Sequence, residues 1–280
     1  MLAKGVCKVI AFFLILVTIL VLLVLYFKKT KSNFPDNFTM QHSPLKIGHR
    51  GASGYCPENT MASYYKAIEL GADFLEVDIH LSKDGILVVH HDSTLDRTTN
   101  GKGNLRDYTV AELKELDAGS WFHARFKDER VPLLSEILEN FRSEVGILIE
   151  IKHPSLYPGI EKKLAEELSK REDYTSDKKR ILVHSFDMES MKRFHQLMPD
   201  IPVGVLIKRR ISDQKLKEIA EFASFLNPKQ TILSTKLQMR IQEQGMKVFT
   251  WTVNNKKQIH MLKKMKLDGI ISDFPDYFID

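Results

Sequence analysis

The chain has 280 residues, 43% hydrophobic and 28% charged, a globular balance that excludes a largely disordered chain and a multi-pass membrane protein. Two cysteines, Cys7 and Cys56, exclude a disulfide scaffold and a cysteine-rich metal site. The net charge of +5 sits wholly in residues 1–31, where Lys4, Lys8, Lys28, Lys29 and Lys31 meet no acid; the remainder holds 36 basic and 36 acidic residues, so no basic nucleic-acid surface is expected.

Residues 9–27 form an apolar run in which only Thr18 is mildly polar. At about 1.5 Å per residue a helix over this run measures roughly 28 Å, close to the hydrocarbon thickness of a bilayer. The run ends in Tyr26-Phe27-Lys28-Lys29, an interfacial pattern, and not at the small-residue cleavage site of a signal peptide. The reading is a single-pass transmembrane helix within an N-terminal anchor, residues 1–31, and a membrane localisation. Lysines on both flanks leave the orientation open, an extracellular catalytic domain included. Residues 32–44 read as a polar linker holding the sequon Asn37-Phe38-Thr39.

From residue 45 onward short β-type runs alternate with amphipathic helical segments. Strands are predicted at 45–49, 74–80, 86–91, 147–152, 181–186, 202–207, 222–227, 248–253 and 269–273. Helices are predicted at 59–70, 135–141, 159–169, 187–196, 213–221, 231–244 and 255–265. Such alternation predicts an α/β fold with parallel strands. The turn Ser82-Lys83-Asp84-Gly85 is too short for a parallel crossover and carries the Asp-Gly hairpin signal, so 86–91 is expected to fold back antiparallel. Eight strands remain, which fits a (β/α)8 TIM barrel over 45–280, with an insertion at about 92–132.

Active sites of such barrels gather at the carboxyl ends of the strands. His49-Arg50, Glu76 with Asp78, Glu150 with Lys152, and His91-Asp92 all stand at strand ends. A spacing of two puts both members of a pair on one face of a strand. With Val77, Ile79, Ile149 and Ile151 facing outward, both pairs point at the barrel axis. Three converging carboxylates need a cation or basic groups among them. Such oxygen ligands suit Mg²⁺ or Ca²⁺, and the neighbouring Arg50 and Lys152 suit a phosphate.

His80 shares a face with Asp78, so lining the pocket and packing stand as equal readings. His90 turns to the opposite face from His91 and reads as structural. His42, His123, His153, His184, His195 and His260 read as surface or supporting residues. Trp251 ends a strand, where it either covers the substrate's alcohol group or packs the core. Glu58 either belongs to the cap of the helix from Asn59 or touches glycerol or metal.

An ordered set of motifs then carries a resemblance. Gly48-His49-Arg50-Gly51-Ala52, Pro57-Glu58-Asn59-Thr60, Gly71-Ala72-Asp73, Glu76-Val77-Asp78, Lys83-Asp84-Gly85 and His91-Asp92 are followed by Thr98-Thr99-Asn100-Gly101-Lys102-Gly103, Pro132, Glu150-Ile151-Lys152, Trp251-Thr252-Val253-Asn254 and Asp268-Gly269-Ile270-Ile271-Ser272-Asp273. From about residue 45 to the end, the chain resembles the glycerophosphodiester phosphodiesterase family, whose fold is the phospholipase C-like phosphodiesterase TIM barrel. The resemblance implies that Glu76, Asp78 and Glu150 hold one divalent cation, that His49 and His91 serve as general base and general acid in an undetermined order, and that Arg50 and Lys152 grip the phosphate. The implied reaction is hydrolysis of a glycerophosphodiester to sn-glycerol 3-phosphate and an alcohol. A lysophospholipase D-like activity on acylated lysophospholipids at the membrane is the nearest alternative. A non-catalytic phosphodiester-binding barrel is disfavoured, because no histidine or carboxylate of the set is missing.

Overall fold

The computed structural model describes residues 17–18, 43–170 and 180–278. In chain order the elements are β1 Leu45–Gly48, α1 Met61–Glu69, β2 Phe74–Leu81, β3 Leu87–Val89, α2 Val110–Glu115, α3 Leu134–Phe141, β4 Gly146–Ile151 and α4 Ile160–Ser169. They continue with β5 Ile181–Ser185, α5 Met188–Leu197, β6 Val203–Ile207, α6 Asp213–Ala220, β7 Phe225–Pro228, α7 Thr235–Glu243, β8 Lys247–Thr250, α8 Lys256–Lys263 and β9 Gly269–Ser272.

The sheet order is β1-β9-β8-β7-β6-β5-β4-β2, and a further parallel pairing of β1 with β2 closes it into an eight-stranded parallel barrel. The remaining strand, β3, pairs antiparallel with β2 and places Val89 opposite Ile79, as the Asp-Gly turn predicts. Gly85 turns that hairpin at φ +74°, a conformation that suits a residue without Cβ.

Helices start where the sequence offers caps. Thr60, Thr109, Asp187, Ser212, Ser234 and Asn255 each accept a backbone N–H of the first turn with the side chain. Their apolar faces meet the outward strand residues in the main core, where Val77, Ile79, Ile149 and Ile151 pack with α1, α3 and α4 residues such as Tyr64, Phe141 and Leu164. The barrel interior holds a second cluster: Leu45, Ile47, Phe74, Leu148, Leu182, Phe225, Phe249 and Ile271. Gly204 makes room for this plug, since a Cβ there would stand 2.0 Å from the Phe225 ring. Residues 92–132 contribute Leu95, Leu105, Leu113, Ala118 and Val131 to a third, separate cluster.

The expectation of a membrane location is corrected. No helix among the described residues is long and apolar enough to cross a membrane. Of the apolar run 9–27 only Val17 and Thr18 are described; its other residues, the linker to residue 42 and the sequon lie outside the described residues. Hydropathy establishes that a run is apolar, not that it forms a spanning helix.

Candidate active site

The period of two along a strand builds the site directly on the apolar plug. Two residues beyond Ile47, Phe74, Leu148, Leu182, Phe225, Phe249 and Ile271 come His49, Glu76, Glu150, His184, Asn227, Trp251 and Asp273. The plug thus floors a polar ring at the carboxyl end of the barrel, above which opens a cavity of about 440 Å³. His49, Arg50, Glu76, His91, Glu150, Lys152 and Trp251 all line it. Asp78 lies behind this lining and is buried, with its carboxylate 3.4 Å from Lys152 Nζ and 3.3 Å from Arg50 Nε.

Both candidate acid–base histidines are anchored in the same way. His49 Nδ1 stands 2.6 Å from Asp273 Oδ1, and His91 Nδ1 stands 2.6 Å from Asp92 Oδ1. A carboxylate on Nδ1 fixes the tautomer and leaves Nε2 for the substrate. The two carboxylates differ in their own partners. Asp92 shares its charge with Arg97 at 2.6 Å, whereas Asp273 receives neutral donors from Ser53 and Asn254. Burial, together with the nearby Arg50 and Lys152, holds the His91 imidazole down to about 4. At neutral pH this ring is therefore uncharged and able to accept a proton.

Arg50 adopts the left-handed region at φ +53°, which aims its backbone N–H at Glu76 Oε2, 2.9 Å away. Asn59 at φ +55° donates its side-chain amide to Asp78 Oδ2 at 2.9 Å, and His153 at φ +42° lines the cavity. Strained backbone thus gathers around this site, as at functional sites generally. The carboxylates are held in opposite states. Burial works against the Asp78 charge, but Lys152 and Arg50 hold its pKa well below the carboxylate range. Burial and the charges of Asp78 and Glu150 push Glu76 well up. Burial also pushes Glu150 up to about 7, although Lys152 Nζ lies 2.9 Å from it.

The donor set fits a divalent cation. Asp78 Oδ1 is buried without a hydrogen bond, and Glu76, Glu150 and His184 each turn one ligand atom into a cluster spanning no more than 4.8 Å. The sequence reading placed His184 and His153 at the surface or in support; both line the cavity, His184 buried and His153 exposed. The same two-residue rule that turned Glu150 inward applies to Leu182 and His184. His80 packs instead, donating from Nε2 to the His91 carbonyl at 3.1 Å. His90 is structural, as expected, held between the Asp92 carbonyl and the Thr98 hydroxyl. Trp251 lines the cavity and packs on the plug, and its indole N–H donates to the Asn227 carbonyl. Glu58 does not itself line the cavity; it bridges Arg50, which does, and Arg97 at 2.9 and 2.7 Å.

Comparison with known proteins decides what this arrangement belongs to. Residues 49–277 match the model of the glycerophosphoryl diester phosphodiesterase family. The chain belongs to this family. It is 38% identical over 248 residues to a glycerophosphodiester phosphodiesterase of Bacillus subtilis, covering 84% of this chain and 85% of that one. It is 40% identical over 235 residues to that of Bacillus altitudinis, covering 82% and 94%. Among solved structures, a phosphodiesterase of Oleispira antarctica in complex with the product sn-glycerol-3-phosphate superposes with a TM-score of 0.77 at 31% identity, over 84% of this chain and 95% of that one. The protein is therefore an enzyme, a hydrolase of glycerophosphodiesters, and enzymes of this family depend on divalent metal.

Two consequences of the geometry can be measured. Asp273→Asn is expected to lower kcat by about 10²-fold with KM little changed, because His49 loses its tautomer and not its contact surface. An unchanged kcat would remove Asp273 from the machinery. The second concerns Glu150. In chelator, its folded pKa of about 7 lies above its ordinary 4.5. Between those values the folded state binds more protons than the unfolded chain, so this group's contribution to stability falls as pH rises through the window. Cation-free Glu150→Gln should melt level with the wild type near pH 5 and several degrees above it near pH 8. A lower melting temperature at pH 8 would make the carboxylate a structural strut.

Proposed function

We propose that this enzyme cleaves the bond between phosphorus and the headgroup alcohol, releasing sn-glycerol 3-phosphate. The observation that supports this most is two histidines lining one cavity with Arg50 and Lys152, each histidine with its Nδ1 on a carboxylate. Arg50 and Lys152 seat the non-bridging oxygens, where developing negative charge is greatest. His91, neutral at working pH, takes the proton of the nucleophile, water or the substrate's own glycerol hydroxyl. His49, facing the less neutralised of the two partner carboxylates, delivers a proton to the departing alkoxide. Glu76, Asp78 and Glu150 would hold one divalent cation of the Mg²⁺ or Ca²⁺ class, which supplies charge neutralisation on the phosphoryl oxygens. Trp251 forms the apolar wall beside the alcohol. The catalytic unit is residues 45–280, with 92–132 as an insertion that supplies Arg97 behind His91.

The substrate class is tested by offering glycerophosphocholine and lysophosphatidylcholine side by side. The reading predicts faster release of choline from glycerophosphocholine. Faster release from the acylated lipid would make the enzyme lysophospholipase D-like. No release from either, with the fold intact, would mean that choline is not the headgroup this enzyme takes.

A further inference from the structure

Among the buried polar groups at the barrel mouth, one has no task in the mechanism above. His184 sits at the end of β5, is 1% exposed, and forms the register pair of Glu150 across the β4–β5 ladder. Its Nε2 points into the ring of carboxylates with no hydrogen-bond partner, 4.0 Å from Glu76 Oε1. Two ligands on opposite sides of an ion, each at about 2.1 Å, stand about 4.2 Å apart, so this spacing suits a shared cation better than a direct contact. A ring nitrogen left unpaired in a buried site is costly unless a ligand occupies it.

The other ring nitrogen faces an amide. His184 Nδ1 lies 2.8 Å from Asn227 Nδ2, at the end of β7, and Asn227 Oδ1 is buried without a hydrogen bond. Nε2 binds a cation only when Nδ1 carries the proton; Nδ1–H then donates to the Asn227 amide oxygen once the amide turns over, an exchange of two isosteric orientations that also gives the unpaired oxygen its partner. Asn227 is itself fully buried, and its backbone carbonyl accepts from Trp251, which holds the residue in place.

We propose that His184 Nε2 is a direct nitrogen ligand of the catalytic cation, beside the carboxylates, and that it tilts the site away from Ca²⁺ toward ions that accept mixed nitrogen and oxygen ligands, Mn²⁺ and Co²⁺ foremost. This rests on the cation reading given above and deepens it. Ca²⁺ takes six to eight oxygens in a flexible shell, whereas imidazole favours the first-row divalent ions, more strongly from Mn²⁺ to Co²⁺. One nitrogen among three carboxylates therefore separates two ions that an all-oxygen site would treat more alike.

The test uses the full chain stripped with chelator and titrated with Mn²⁺. Electron spin-echo modulation reports directly bound ¹⁴N, whatever the activity. The expected result is nitrogen modulation in the wild type and in His49→Gln and His91→Gln, and its loss in His184→Gln. In parallel, calorimetric titration should show His184→Gln binding Mn²⁺ and Co²⁺ about tenfold more weakly while Ca²⁺ changes by less than about threefold. Should His184→Gln not fold, the wild type still decides: it must show the nitrogen coupling and must bind Mn²⁺ more tightly than Ca²⁺. Binding of Mn²⁺ with no nitrogen coupling overturns the role of His184 alone. Binding of no divalent ion overturns both this role and the cation reading on which it rests.

Discussion

Glu76→Gln and Glu150→Gln are each expected to lower turnover of glycerophosphocholine by about 10³-fold or more, as will exhaustive chelation of the wild type. The magnitude follows from removing several kcal/mol of charge stabilisation at the phosphoryl oxygens, at about 1.4 kcal/mol per decade. Both side chains are buried in the polar ring over the plug, and both are pushed toward protonation when no cation is present. Glutamine keeps the shape and removes the charge. The fold should therefore persist in both variants, with unchanged far-UV dichroism and a melting temperature in chelator no lower than that of the wild type. Added divalent ion should restore the chelated wild type and neither variant. Full activity after chelation would remove the cation from the mechanism. A collapse of the fold in either variant would mean that these carboxylates serve the barrel and not the reaction.

The second large effect separates the histidines. His49→Ala should lower the rate on glycerophosphocholine by about 10²–10⁴-fold but leave a nitrophenyl phosphodiester within about tenfold of the wild type. An alkoxide needs a proton as it departs; a nitrophenolate hardly does. His91→Ala should slow both substrates by a similar factor, since activation of the nucleophile serves either. The assignment rests on two features of the site: the uncharged His91 ring, and the contrast between Asp92, tied to Arg97, and Asp273, which receives neutral donors. Selective sparing of the nitrophenyl substrate in His91→Ala would reverse the two roles. No selectivity in either variant would pass the acid's role to another group, with Lys152 the first candidate.

Much of this was legible in the residues because strands have a period of two. The rule that turns Glu76 and Asp78, or Glu150 and Lys152, to one face also places the plug beneath them, and one Asp-Gly turn settles which of nine β-type runs leaves the barrel. The rule was available for His184 as well, since Leu182 and His184 obey it. A lone histidine in an apolar run reads as bland until its neighbours across the ladder are known. Other features were beyond reach for a different reason. His49 meets Asp273 across 224 residues, and Arg97 meets Glu58 across 39. No local pattern announces such pairs. Element boundaries moved where turn chemistry outweighed periodicity: the helix read as 231–244 begins at Thr235, after the cap at Ser234 and a short 3₁₀ turn at Gln230–Ile232. The strand read as 222–227 is Phe225–Pro228, because Phe222 and Ala223 still bond back to Ile219 at the end of α6.

The most direct test of the whole account is product analysis of glycerophosphocholine turnover in ¹⁸O-labelled water, with and without chelator, by phosphorus NMR and mass spectrometry. Attack at phosphorus with departure of the headgroup alcohol predicts sn-glycerol 3-phosphate carrying one ¹⁸O, unlabelled choline, and no turnover in chelator. Phosphocholine and glycerol as products, label in the choline, or undiminished turnover in chelator would contradict it.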